Sequence, residues 1–223
     1  MNILIVAATI QEIKPFVKHC KMKEVEPNLW NGKLRQHHVH CLICGIGMVA
    51  TTYHLTKAVS KESFHLILNA GIAGSFSEDI SRGDIVEVTS EQFADFGIDN
   101  RGIYHTVFEA NFMDSNLPPF SNGILINPVK HSFTNHLLKV TGITVNTTTG
   151  SEERIKRIRE KFNPVIENME GAAVFYVALQ QSIPFTEIRS VSNFVEPRNR
   201  NNWNISLAIE NLNSTLIGIF AEI

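Results

Sequence analysis

Past Asn168 the stretch "ENMEGAAVFYVALQ" is apolar except for one carboxylate, Glu170. A charge placed where burial should penalise it must hold a partner, which makes it a candidate for chemistry. Its plainer reading is a carboxylate that caps, or pairs with the dipole of, its own helix N-terminus. Three other patterns could carry chemistry. "CLIC" (Cys41 to Cys44) has the spacing of a metal or redox pair. In a strand, however, positions three apart face opposite ways, so the two thiolates cannot share one ion. "HHVH" (His37, His38, His40) lacks a carboxylate or cysteine partner at ligand spacing and reads as exposed strand histidines. "GIGMVA" (Gly45 to Ala50) fits G-x-G-x-x-A, yet the next strand ends in Asn69 where a dinucleotide site needs an acid. It reads as a tight turn that lets a backbone approach closely.

The elements that must position these residues are legible as hydrophobic runs. "NILIVAA" (Asn2 to Ala8), "HCLICG" and "FHLILNAG" (Phe64 to Gly71) are continuous apolar strands, and "GDIVEV" (Gly83 to Val88) is a fourth. A helix is expected from about Gln11 and another over "GMVATTYHLTKAV". The segment from Asp95 to Ser121 reads as a long loop containing scattered phenylalanines. "NGILIN" and "ITVNTTTG" restore order. They are followed by the charged helix "SEERIKRIREKF" capped by Ser151, the short strand "PVIEN", the helix "MEGAAVFYVALQQ" and the strand "PFTEIRSVSN" (Pro184 to Asn193). The closing segment carries Ile205, Ala208, Ile209, Leu212 and Leu216 at helical spacing.

Alternation of strands and helices predicts an α/β fold in one domain over residues 1–223: a mixed, mostly parallel central sheet flanked by helices. Ligands in such folds bind beyond the carboxyl ends of the strands. Glu12, the turn Gly71–Gly74, Met169 with Glu170, and Arg189 with Asn193 all fall at such ends. With 223 residues, 43% of them hydrophobic, the chain can build a substantial core. A formal charge of −2 argues against a nucleic-acid partner, and no apolar run is long enough to cross a bilayer. Three cysteines and no export signal fit the cytoplasm.

The pieces "AATIQE", "CGIGMVA", "NAGIAGSF" with "GDIVEV", "ENMEGAAV" and "RSVSN" resemble, in this order, the purine nucleoside phosphorylase/nucleosidase superfamily. The resemblance covers nearly the whole chain, least well from Gly97 to Ser121. It is nearest to the branch of methylthioadenosine/S-adenosylhomocysteine nucleosidases, and the tail "SNFVEPRNRNNWNISLAIENL" resembles the futalosine hydrolases of the alternative menaquinone route. It implies a nucleoside phosphorylase-like fold, no cofactor or metal, a small purine nucleoside as ligand, and a homodimer or larger assembly. The apolar face of "GMVATTYHL" is a candidate contact between copies.

The resemblance further implies cleavage of a purine–ribose N-glycosidic bond. Glu170 then matches the carboxylate that accepts from the ribose hydroxyls, with Met169 packed on the sugar. Glu12 matches the base that activates water, and Arg189 the cation that helps hold it. The plainer readings are a first-turn acid for Glu12 and an exposed strand charge for Arg189. Gly71, Ile72 and Phe93 would line the pocket, Phe93 and Phe96 being the aromatics nearest to the matched segments. Arg198 is the first candidate to hold a substrate carboxylate, with Arg200 and Lys130 as others. Asn193 departs from the methylthioadenosine pattern, which has aspartate there. An amide can donate to a 6-oxo group while its oxygen accepts from a protonated N7, which points to hypoxanthine. The alternatives are a nucleosidase or phosphorylase for another purine nucleoside, inosine-like or methylthioadenosine-like, or a binding protein that has lost turnover.

Overall fold

Seventeen elements follow one another along the chain in the computed structural model, which describes residues 1–223. They are β1 (Asn2–Ala7), α1 (Ile10–His19), β2 (Lys23–Glu26), β3 (Leu29–Leu34), β4 (His37–Ile43), α2 (Met48–Lys61), β5 (Leu66–Ser75), β6 (Ile85–Phe93), β7 (Gly97–Asn100), β8 (Ile103–Thr106), β9 (Leu125–Ile126), β10 (Leu138–Thr144), α3 (Glu152–Phe162), β11 (Ile166–Asn168), α4 (Gly171–Gln180), β12 (Phe185–Phe194) and α5 (Ile205–Glu222). Strands run in the order β11-β10-β6-β12-β5-β1-β4-β3-β2. Parallel ladders join β4-β1-β5-β12 and β6-β10-β11, while β12 and β6 meet antiparallel.

One pairing turns part of the sheet into a closed ring. β11 bonds β10 on one side and β5 on the other, with Ile166 opposite Ser75 and Glu167 opposite Gly74. Closure removes the edge that β11 would otherwise present. It also brings together polar side chains from β6, β10, β11 and β12.

Alternate residues of β1 serve opposite core layers. Leu4 and Val6 pack with α2 and α4, whereas Ile3, Ile5 and Ala7 pack with α1 and α5. Burying each such aliphatic side chain contributes about 1.5–3 kcal/mol. Cys41 and Cys44 fall in opposite layers, as three-residue strand spacing requires. The histidines are not exposed as a group. His37 and His40 are buried and only His38 faces solvent. The reason is that β4 lies between β1 and β3. His37 bridges the chain ends, its Nδ1 3.1 Å from the amino terminus and its Nε2 3.1 Å from the Ile223 carbonyl. His40 lies 3.4 Å from Glu62.

The expected long loop from Asp95 contains a hairpin, β7–β8. Its two-residue turn, Arg101–Gly102, has φ of 56° and 85°, the handedness that short hairpins favour. A second hairpin, β2–β3, has no continuous apolar run to mark it: β2 is the polar KEVE, and Asn31, Gly32 and Lys33 interrupt the apolar residues of β3. No helix is long and apolar enough to cross a membrane.

Candidate active site

A cleft of about 340 Å³ opens at the carboxyl ends of β1, β5, β11 and β12. Glu12, Ile72, Met169, Glu170, Asn193 and Arg198 all line it. The two candidate carboxylates, from opposite parts of the chain, therefore share one cavity.

Glu12 sits in the first turn of α1 with its carboxylate fixed on three sides. Oε2 accepts from the Thr9 amide (2.9 Å) and hydroxyl (3.1 Å), and Oε1 accepts from the Ile72 amide (3.1 Å). It is thus both a first-turn acid and a cleft residue.

Glu170 precedes α4 but does not cap it. Asn168 Oδ1 accepts from the amides of Glu170 (2.9 Å) and Gly171 (2.6 Å), and Thr144 Oγ1 accepts from Ala172 (2.7 Å). Glu170 is free to reach elsewhere. Its Oε1 accepts from the Gly47 amide at 3.1 Å, and its Oε2 lies 3.7 Å from Arg189 Nη1. Gly47 has φ of 90°, a conformation open to glycine. The turn "GIGMVA" thus delivers an N–H to a carboxylate of the cleft.

Arg189 is not an exposed strand charge. It is 1% exposed and lies behind the cleft wall rather than in it. Its Nε donates to Glu187 Oε1 at 2.8 Å, and its Nη2 to Asn168 Oδ1 at 3.4 Å. Burial works to lower its pKa, but Glu187, Glu170 and Glu12 outweigh that and keep it charged. A Cβ at Gly71 would collide with the guanidinium, so Gly71 makes room for Arg189 instead of lining the cleft.

One cation among several carboxylates leaves an excess of negative charge. Burial, opposed by Arg189 and the Gly47 amide, raises the pKa of Glu170. Burial and then Glu187 push the Glu91 carboxyl well above the usual range, against hydrogen bonds from Thr144 (2.8 Å) and Asn168 (2.6 Å). Both acids crowd Gly171: Glu91 Oε1 and the Glu187 oxygens lie 2.5 and 2.7 Å from where its Cβ would stand. An acid whose folded-state pKa is raised stabilises fully below its ordinary pKa, and that stability is lost as pH rises toward the folded value. Glu91→Gln keeps the neutral shape. It is expected to melt above the native protein at about pH 8. The gap should close near the ordinary value of 4.5. Melting curves that stay parallel across this range would contradict a raised Glu91.

Asn193 lies where the ladder between β12 and β5 shifts register, a bulge that re-aims side chains. Its Nδ2 donates to the Phe194 carbonyl (2.9 Å) and its Oδ1 accepts from the Ser192 hydroxyl (2.7 Å). A carbonyl only accepts, so the amide orientation is determined. One N–H and one oxygen lone pair remain for a ligand.

Phe93 does not join the cleft. It lies edge-on to Phe96 (6.0 Å) and Phe120 (6.2 Å) beside a second depression. Lys130 and Arg200 are also outside the cleft lining. The wall's aromatic surface comes from Phe194 and Trp203. Arg198 stands over the Trp203 ring at 5.5 Å and donates to Thr148 Oγ1 at 3.2 Å. Ile205 and Ile209 line the cleft instead of extending the buried stripe of α5, and Ile205 is 41% exposed.

Fold and cleft together define a class. The chain belongs to the phosphorylase superfamily, which it matches over residues 2–220. It is 25% identical to the 5'-methylthioadenosine/S-adenosylhomocysteine nucleosidase of Buchnera aphidicola subsp. Schizaphis graminum, over 96% of this chain and 93% of that one. It is 30% identical to the futalosine hydrolase of Acidothermus cellulolyticus, over 77% of this chain and 70% of that one. These relatives are nucleosidases, enzymes that hydrolyse N-glycosidic bonds. The futalosine hydrolase of Helicobacter pylori strain 26695 has the same fold, with a TM-score of 0.83 at 18% identity, covering 100% of this chain and 98% of that one.

Proposed function

We propose that the protein hydrolyses the N-glycosidic bond of futalosine, releasing hypoxanthine and dehypoxanthine futalosine in the alternative menaquinone pathway. The observation that carries this reading is the Asn193 carboxamide in the cleft wall, with an N–H and an oxygen lone pair left over. The pair suits O6 and a protonated N7 of hypoxanthine. Adenine would set its amino group against the amide N–H, and sites built on such pairing discriminate strongly.

In the proposed step, Glu12 takes a proton from water as its oxygen bonds to C1′. The C1′–N bond breaks, its electrons leave with the base, and the base takes a proton from solvent at N7, where the Asn193 oxygen accepts from the new N–H. Glu170 accepts from the ribose hydroxyls and steadies the positive charge that grows on the sugar. Met169 packs on the sugar. Arg189 contributes from behind, by fixing the carboxylates. The cleft lining holds Glu12, Glu167, Glu170 and Glu196 against the single cation Arg198, a balance that repels phosphate and favours water as nucleophile. Arg198, with Trp203 and the apolar Ile205 and Ile209 beside it, suits an aromatic carboxylate on the substrate's tail.

The similarity to methylthioadenosine/S-adenosylhomocysteine nucleosidases supports a second reading, cleavage of a 6-aminopurine nucleoside. Asn193→Asp separates the two. On the leading reading it lowers kcat/KM for a 6-oxopurine nucleoside on the order of 10²-fold, because a carboxylate faces O6 with no proton to give. An unchanged rate would mean that Asn193 does not touch the base.

A further inference from the structure

Helix α1 runs unbroken but has a gap in its backbone hydrogen bonding. Pro15 lies in its interior. Proline has no N–H, and its ring presses on the carbonyl one turn back, here that of Gln11. On the next rung stand the Phe16 amide and the Glu12 carbonyl, the two groups that a regular helix joins to each other. Both bond to one side chain from α5. Phe16 N–H donates to Asn213 Oδ1 at 2.8 Å, and Asn213 Nδ2 donates to the Glu12 carbonyl at 2.8 Å.

The second Nδ2 hydrogen goes to the Ile209 carbonyl at 2.6 Å. Asn213 is 2% exposed and sits among the buried Leu212, Leu216 and Phe16, where an apolar residue would pack without a desolvation cost. Its carboxamide instead holds three backbone positions, and two of them, Glu12 and Ile209, belong to residues that line the cleft.

We propose that Asn213 is a positioning residue: it takes up the slack that Pro15 leaves in α1 and sets the Glu12 carboxylate relative to the cleft. This rests on the reading of Glu12 as the base. A displacement of about 1 Å at a reacting group can cost on the order of 10²-fold in rate. The clamp also explains how a proline is tolerated one turn from a residue that must be held still.

The test uses the full chain carrying Asn213→Leu, Asn213→Asp, or Asn213→Leu combined with Pro15→Ala. In the double variant the alanine restores an N–H for the Gln11 carbonyl, and the straightened helix can pair Phe16 with Glu12 directly. With hypoxanthine release from futalosine as the assay, both single variants should lose about 10- to 100-fold in kcat per folded enzyme, with KM changed less than about threefold. The double variant should recover about tenfold, a coupling that a purely structural role does not produce. Independently of turnover, amide exchange reports on the carboxylate. The Ile72 N–H bonded to Glu12 Oε1 should lose about tenfold protection in the single variants and regain it in the double. Unchanged Ile72 protection, or a double variant no better than Asn213→Leu, overturns the inference. A native protein that cleaves no nucleoside, yet shows the exchange pattern, refutes the assigned reaction and leaves the clamp standing.

Discussion

Glu12→Gln is expected to lower kcat by about 10²–10⁴-fold, the usual contribution of a positioned general base. The amide cannot take a proton from water. The loss should not arise from unfolding. Glutamine keeps an oxygen for the Ile72 amide, and the Thr9 hydroxyl can turn to accept from the new NH₂ group where it now donates. Only the Thr9 amide loses its acceptor. That costs about 1 kcal/mol at a partly buried site. Turnover and thermal unfolding measured on the same preparation separate the two effects. Activity within tenfold of the native protein would remove Glu12 as the base.

Glu170→Gln is expected to reduce kcat/KM by about 10²-fold or more without lowering stability. Two charge-assisted bonds to a vicinal diol are worth about 1.5–3 kcal/mol each, so losing the charge on both is felt in the rate. The fold has less to lose. Asn168 and Thr144 cap α4, and Arg189 keeps Glu187 as its closest partner. Glutamine also removes a carboxylate whose pKa burial raises, so the variant should hold its Tm, or gain, as pH rises above the usual carboxylate range. A sharp fall in Tm with little change in kcat/KM would make Glu170 a structural residue.

Much of this site was legible because its residues violate local expectations. Glu170 interrupts an apolar run, and Glu12 follows the first strand directly. The strands that carry them announce themselves by continuous branched side chains. What stayed hidden depends on contacts between distant segments. Glu91 and Glu187 each look like the polar face of an ordinary strand. They become a buried pair because β6 and β12 lie side by side against the start of α4. Arg189 reads as exposed for the same reason. Phe93 lies near the matched segments in sequence, but its side chain packs against Phe96 and Phe120. Trp203 lies in a polar tail with no periodicity to mark it, and it enters the cleft because α5 returns beside β12. Asn213 is invisible to pattern alone, since its partners Glu12 and Phe16 lie at the other end of the chain.

Incubating the purified protein with futalosine, inosine and methylthioadenosine, with and without phosphate, tests the central claim most directly. Free hypoxanthine should form from futalosine, at the same rate in both buffers and with no sugar phosphate. Release that requires phosphate, or adenine from methylthioadenosine while futalosine stays intact, would contradict it.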